Sequence, residues 1–310
     1  MKTKLIRTVA ACIAAGLIVA PHAMAQRQLG KKKGPTSKIY LAEAVGDSEI
    51  QNGEKIYAAK QATAFDAPGT VIETKAGAHN AFVYSNGTGM FVDENTRVEI
   101  DRFVQEPFKP DRNSPADAPF EPSISQSAVH VAHGAVGVCT SQLVSGSSML
   151  YSTPEAAVNI RGGKVSIQAN PSETVIDLLE GDVTVRGGSK DIGGQILRAG
   201  ERAVVRATPS GQPSITISRI PPEAMQASDE RVSVACNAKK TVTFEIIEKK
   251  AEEGLDAPPS ASTPGSTPDA PPAADDSAGA GGTQEIVVKP TVPADPPINI
   301  VVSPDRLPGT

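Results

Sequence analysis

From about residue 38 to residue 206 the chain consists of short apolar stretches, each closed by Gly, Asn or Pro, with β-branched and aromatic residues in alternation. Val71-Ile72, Ala81-Phe82-Val83-Tyr84, Met90-Phe91-Val92, Val98-Glu99-Ile100 and Val129-His130-Val131 belong to this texture. A period of two sends successive side chains to opposite faces of a pleated strand, so the pattern predicts an all-β domain. Asn86-Gly87-Thr88 reads as a hairpin turn between two such strands. The stretch from Gln105 to Pro122 holds five prolines among several charges and predicts an exposed loop. Past Arg206, Ile215-Thr216-Ile217 predicts one more strand, and Pro221 to Gln226 a short helix. Arg231 to Ile247 shows two further alternating stretches around Cys236 and Phe244, which would close the β stack.

A unit recurs in the middle of the domain, in which glycine introduces a short alternating strand. It is seen in Gly134-Ala135-Val136-Gly137-Val138, Gly163-Lys164-Val165-Ser166-Ile167 and Gly181-Asp182-Val183-Thr184-Val185, with a looser copy in Gly200-Glu201-Arg202-Ala203-Val204. The glycines are 29, 18 and 19 residues apart. Such spacing fits stacked hairpins or the coils of a β-solenoid, and an ordinary β-sandwich with hairpins of similar length fits it too. Gly134, Gly163, Gly181 and Gly200 are assigned as structural turn glycines, because a tight corner calls for positive φ. A phosphate loop would need a helix after the glycines, and here strands follow.

At these residues the chain resembles the FecR domain. The resemblance rests on Ser152-Thr153-Pro154-Glu155-Ala156-Ala157-Val158-Asn159-Ile160-Arg161-Gly162, then Leu179-Glu180-Gly181-Asp182-Val183-Thr184-Val185, then Leu197-Arg198-Ala199-Gly200-Glu201. Pro68 to Thr74 and Glu94 to Val98 are similar to the family's earlier elements, so the likeness runs over about residues 61–206. Gly163 stands where the family usually has Thr. The resemblance implies a periplasmic, β-solenoid-like domain without catalysis. In the iron-uptake regulators that name the family, this domain receives a signal from an outer-membrane transporter, and a membrane helix passes it to a sigma-factor-binding segment. Neither of those two parts is expected in this chain, so direct sigma-factor regulation is not expected either.

The termini add the address. Lys2, Lys4 and Arg7 precede an apolar run from Thr8 to Ala20, and Ala23-Met24-Ala25 offers a small-x-small cleavage pattern. That is a signal peptide over 1–25, too short in its apolar run for a membrane span, and it predicts a periplasmic or secreted protein cut after Ala25. Val9-Ala10-Ala11-Cys12 only loosely resembles a lipobox, with Arg7 too close to the cysteine. Residues 26–37 form a flexible basic arm, 38–250 the β domain with 207–250 as closing strands, and 251–285 a disordered linker rich in Pro, Ala, Ser and Gly. The tail, 286–310, carries Ile286-Val287-Val288-Lys289-Pro290 and Ile300-Val301-Val302-Ser303-Pro304, two copies of Ile-Val-Val-x-Pro that suit strand addition at a sheet edge.

Charge and chemistry narrow the function. The formal charge is −5, and removing the three positive charges of the leader leaves −8, which argues against nucleic acid as a partner. Cys139 and Cys236 remain after cleavage as a candidate disulfide, with two buried thiols as the other arrangement. His79, His130 and His133 are the histidines beyond the leader, and residues three apart on a regular strand face opposite ways, so no metal site is expected at His130 and His133. Asp93, Glu94, Glu99 and Asp101 read as solvated charge, Asp93 and Asn95 make an incomplete calcium series, and no nucleophile elbow is present. No catalytic group and no cofactor is expected. The expected function is therefore a non-catalytic binding or scaffold module in the envelope, with an envelope protein or a polysaccharide as partner. A polysaccharide-active enzyme on a β-solenoid is the alternative, and it would need paired carboxylates in a groove.

Overall fold

A computed structural model describes residues 37–108, 118–188, 194–208, 213–249 and 283–290. The leader, residues 26–36 of the basic arm, most of the Pro/Ala/Ser/Gly-rich segment and the second Ile-Val-Val-x-Pro copy lie outside the described residues.

The protein is all-β with one helix. Its first eight strands are β1 Lys38–Val45, β2 Ser48–Asn52, β3 Lys55–Ala58, β4 Thr63–Asp66, β5 Thr70–Thr74, β6 His79–Tyr84, β7 Gly89–Val92 and β8 Arg97–Gln105. Three long strands follow around a short one: β9 Ser125–Thr140, β10 Ser148–Ser152, β11 Ala156–Ala169 and β12 Glu173–Gly187. After β13 Gln195–Leu197, β14 Glu201–Arg206 and β15 Ser214–Arg219 come helix α1 Pro222–Lys240, β16 Val242–Lys249 and β17 Thr283–Pro290. The strands β1 to β15 form one open sheet, and β16 pairs with β17 in a separate two-stranded one.

The long strands change partners along their length, and this gives the fold its shape. The first half of β9 lies between β8 and β10, its second half between β7 and β11. The first half of β11 pairs with β10 and the end of β12, its second half with β9 and the start of β12. The start of β12 pairs with β14, its end with β13. The sheet thus divides into two leaves. One runs β3-β2-β5-β8-β9-β10-β11-β12-β13 and the other β4-β1-β6-β7-β9-β11-β12-β14-β15, with β9, β11 and β12 crossing between them. Strands that pass from one layer to the other at bends or bulges are how sandwich corners are made.

The glycines assigned as turns sit at these crossings rather than at strand starts. Gly134, Gly163 and Gly181 lie inside β9, β11 and β12, and only Gly200 lies in a turn, just ahead of β14. Gly163 and Gly181 face each other across the β11–β12 ladder with φ of 116° and 106°, in the left-handed half of conformational space. A Cβ on Gly163 would run into the Glu180 carbonyl and one on Gly181 into the Gly162 carbonyl, so the bend excludes any side chain. The register shifts on both sides of the pair, which is a bulge re-aiming the strand without ending its ladder.

The two leaves enclose one apolar core. Ile72, Ile100, Phe103 and Val129 from one leaf meet Phe82, Tyr84, Met90 and Val136 from the other, and the Tyr84 and Phe103 rings stand edge to face at 5.0 Å. Each such side chain, withdrawn from water, contributes about 1.5–3 kcal/mol. Among the named strands of the sheet only β9 and β10 run parallel, so the ladder is one of hairpins and not of the parallel coils that a solenoid stacks.

The described part of residues 207–250, expected as closing strands with a short helix over Pro221 to Gln226, is strand, helix and strand, and the helix runs on to Lys240. The alternation of Val232, Val234 and Cys236 suggested a strand, yet this stretch is the second half of α1. The buried positions Ser228, Val232, Ala235 and Ala238 are spaced by four, three and three, the helical period. Pro222 occupies the first turn, where its missing N–H costs nothing, and Lys239 and Lys240 lie in the last turn, favourably placed against the helix dipole. The first Ile-Val-Val-x-Pro copy is strand β17, beginning at Thr283 within the span expected as linker, and Ile286 lies opposite Ile246 of β16.

Candidate functional site

Helix α1 covers the outer face of the second leaf. Gly89 of β7 and Gly137 of β9 have no side chain where the helix passes: a Cβ on Gly137 would come within 2.5 Å of the Arg231 carbonyl oxygen, and one on Gly89 would strike the Ala235 carbonyl. The helix backbone therefore rests directly on the strands. Cys236 is joined to Cys139 of β9 by a disulfide with Cα atoms 5.2 Å apart, and Phe91, Cys139 and Ala235 pack around it. Polar ties flank it along the helix. The Arg231 Nε donates to Asp93 Oδ2 at 2.7 Å, the Lys239 Nζ donates to Ser141 Oγ at 2.7 Å, and Ser228 Oγ donates to Asp177 Oδ2 at 2.6 Å. Asp177 is buried and also accepts both forks of the Arg202 guanidinium, at 2.6 and 2.7 Å. The hydrogen bond to Asp177 raises the Arg202 pKa above its ordinary value and keeps it charged.

The outer face of the first leaf has no such cover among the described elements. Across it, Glu73 of β5 lies opposite Arg97 of β8, Arg97 opposite His133 of β9, Glu99 opposite His130, and His130 opposite Ser152 of β10. The Arg97 guanidinium donates to Glu73 Oε2 at 3.2 Å and to Glu99 Oε1 at 2.9 Å, and Lys75 Nζ reaches Glu73 Oε1 at 2.8 Å. The hydrogen bond from Lys75, then its charge and those of Arg97, hold the Glu73 carboxyl below its ordinary range. The same hydrogen bond raises Lys75. His130 Nδ1 lies 3.0 Å from Ser152 Oγ.

One expectation is overturned on this face. His130 and His133 do not point to opposite sides, because Ala132 is an extra residue in β9: Val131 pairs with Val98 but His133 with Arg97. The bulge restores His133 to the side of His130, opposite two β8 residues that are themselves two apart. Even so, no group of three metal-ligating side chains assembles among the described residues. Asp93, a possible calcium ligand by sequence, is occupied by Arg231 and by the Glu94 amide. Glu99 is paired with Arg97, and exposed Asp101 is itself a bulge residue between Ile100 and Arg102. Asn86 does turn the β6–β7 hairpin, and its buried amide donates to Glu121 Oε2 and Ser125 Oγ. His79 lies against the Phe91 ring at 5.5 Å and beside Glu43.

Inside the core lies a polar pocket that sequence did not mark. The hydroxyls of Tyr84 and Tyr151 and the unpartnered Ser127 Oγ adjoin Phe103 and Met149 around a gap with no room for a water molecule. Burial foremost pushes both tyrosines above their ordinary range. The gap is too small for any ligand.

No family model and no curated protein matches the chain. Two crystal structures of an inferred anti-sigma factor from Parabacteroides distasonis resemble it, at 16% and 15% identity and a TM-score of 0.36 for each. The likeness covers 51% of this chain and 62% and 63% of those, so it spans less than two thirds of the neighbours' length. At that level it assigns no function. Among the described residues no helix is long and apolar enough to cross a membrane.

Proposed function

We propose that this chain is an exported, non-catalytic binding module of the FecR type, which presents the outer face of its first leaf to a partner in the cell envelope. The observation that carries the reading is the asymmetry of the two outer faces. One is covered by a helix that is bonded to it, and the other displays Glu73, Lys75, Arg97, Glu99, His130 and His133 on a stiff sheet. Functional groups mounted on strands are held more firmly than groups on loops. Ion pairs within the face hold the side chains in place, so little freedom is lost on binding. A disulfide between helix and sheet suits an oxidising compartment, as does the amino-terminal leader. The motifs shared with the FecR domain, Ser152 to Gly162 and Leu179 to Val185, support a signal-receiving or scaffolding role.

The test inverts the face without breaking it. In the full chain, Arg97→Glu and Lys75→Glu combined with Glu73→Lys and Glu99→Lys keeps ion pairs available but reverses every sign on the face. Partners cross-linked by the wild type in envelope extracts, protein or polysaccharide, should be lost from this variant while its melting temperature holds. Retention of the same partners removes the face from the function. Amino-terminal sequencing of the exported protein should begin at Gln26, and a chain beginning at Met1 or carrying lipid on Cys12 removes the address.

A further inference from the structure

The last strand of the second leaf, β15, pairs with β14 on one side, and among the described residues no strand pairs with its other side. Five of its six residues, Ser214-Ile215-Thr216-Ile217-Ser218, read the same in both directions. Ile215 and Ile217 pack against the core yet remain half-exposed, while Ser214, Thr216 and Ser218 face solvent. The apolar face of the sandwich thus runs out to this edge without being closed. Edges of soluble sheets are normally blunted by charge. The edge strands at the other end carry Lys55 on β3 and Asp66 on β4, and β15 carries its one charge at its last residue, Arg219, which leaves the five residues Ser214 to Ser218 of this edge without charge.

We propose that β15 is the homodimer interface of this protein, pairing antiparallel with β15 of a second copy about a two-fold axis through Thr216. A palindromic strand is self-complementary under such an axis. Ser214 lies opposite the partner copy's Ser218, Ile215 opposite Ile217, and Thr216 opposite itself. Every residue meets one on the same face, so the isoleucines of both copies extend one core and the hydroxyl residues pair on the outer side. A second copy is the occupant that matches this sequence symmetry. The two leaf edges join into one continuous sheet through the dimer.

Cysteine substitutions in the full chain test both the partner and the register. Cys139 and Cys236 are bonded to each other and Cys12 is replaced by serine, so one added thiol reports alone. Thr216→Cys places two sulfurs on the axis, with Cβ atoms about 4.5–5.5 Å apart, and should cross-link to itself on mild oxidation. Ser214→Cys should cross-link to Ser218→Cys in a mixture but not to itself, since like positions lie four residues apart, roughly 13 Å. Sedimentation should give a dimer for the wild type. Thr216→Lys, which sets two like charges face to face, should give a monomer of unchanged melting temperature. A monomeric wild type, equal self-linking by Ser214→Cys, or a dimer that survives Thr216→Lys would overturn the proposal. So would cross-linking of Thr216→Cys to Val301→Cys within one chain, which would place the second Ile-Val-Val-x-Pro copy on the edge instead.

Discussion

Replacing Gly137 by Ala tests whether the helix really rests on bare backbone. Gly137 has ordinary φ, so alanine fits its backbone, and in open space the change should stabilise by about 0.4–1 kcal/mol through the unfolded chain. Here the new methyl would stand 2.5 Å from the Arg231 carbonyl oxygen and 2.6 Å from its carbon, where contacts under 3.0 Å do not occur. The helix must withdraw by at least about 0.5 Å, the difference between those limits, or the strand must sink into a core that has no slack. Overpacking of this kind costs about 1–3 kcal/mol, so the net loss should be about 1–2 kcal/mol. For a domain of this size that lowers the melting temperature by roughly 2–8 °C. Withdrawal also stretches the 2.7 Å bond from Arg231 to Asp93 and loosens the packing over Cys236, so the disulfide should be reduced faster by a dithiol reagent. Denaturant unfolding and the rate of thiol release measure the two effects. A variant as stable as the wild type or more stable, with an unchanged reduction rate, would falsify the seating of α1 on the strand.

Two further outcomes follow from the same contacts. Replacing both Cys139 and Cys236 by alanine opens a link between residues 97 apart and should cost up to about 4–5 kcal/mol by loop entropy, read as a fall in the denaturant midpoint; a loss under about 1 kcal/mol would contradict it. Glu73→Gln should differ from the wild type above pH 4.5 and converge with it in more acid solution, because a carboxyl whose pKa is lowered on folding contributes above its unfolded value and loses that contribution as pH falls through the folded one. Glu73 is just over a third exposed, so the difference should stay below about 1 kcal/mol, and a gap that widens toward low pH would reverse the sign of the argument.

The strands around Ile72, Val98 and Val129 were legible because their burial alternates with the residue, whereas those around Phe82 and Phe91, buried on both faces, were legible as short apolar runs. The four glycines were legible as positions of special backbone, and all have positive φ, but sequence spacing could not tell a turn from a bend within a strand. Helix α1 was legible at its start, Pro221 to Gln226, but its length was hidden because Val232, Val234 and Cys236 alternate as a strand does, while the residues that seat it, Gly89 and Gly137, lie far away in the chain. The charged face was harder still. Its arrangement depends on which strand lies beside which and on a single extra residue at Ala132, and neither leaves a local trace. Asp177 gave no sign of its role for the same reason: Arg202 and Ser228 reach it from separate elements.

The crossing strands have a consequence for how the molecule comes apart. In a sandwich whose sheets are joined only by loops, one sheet can loosen while the other persists. Here β9, β11 and β12 are continuous through both leaves, so each leaf's ladder is fastened to the other by unbroken backbone at the bends of Gly134, Gly163 and Gly181. Opening one leaf therefore strips partners from strands that also hold its neighbour. The two layers constitute one cooperative unit, and a disturbance on the exposed face is delivered along the same three chains to the leaf beneath the helix.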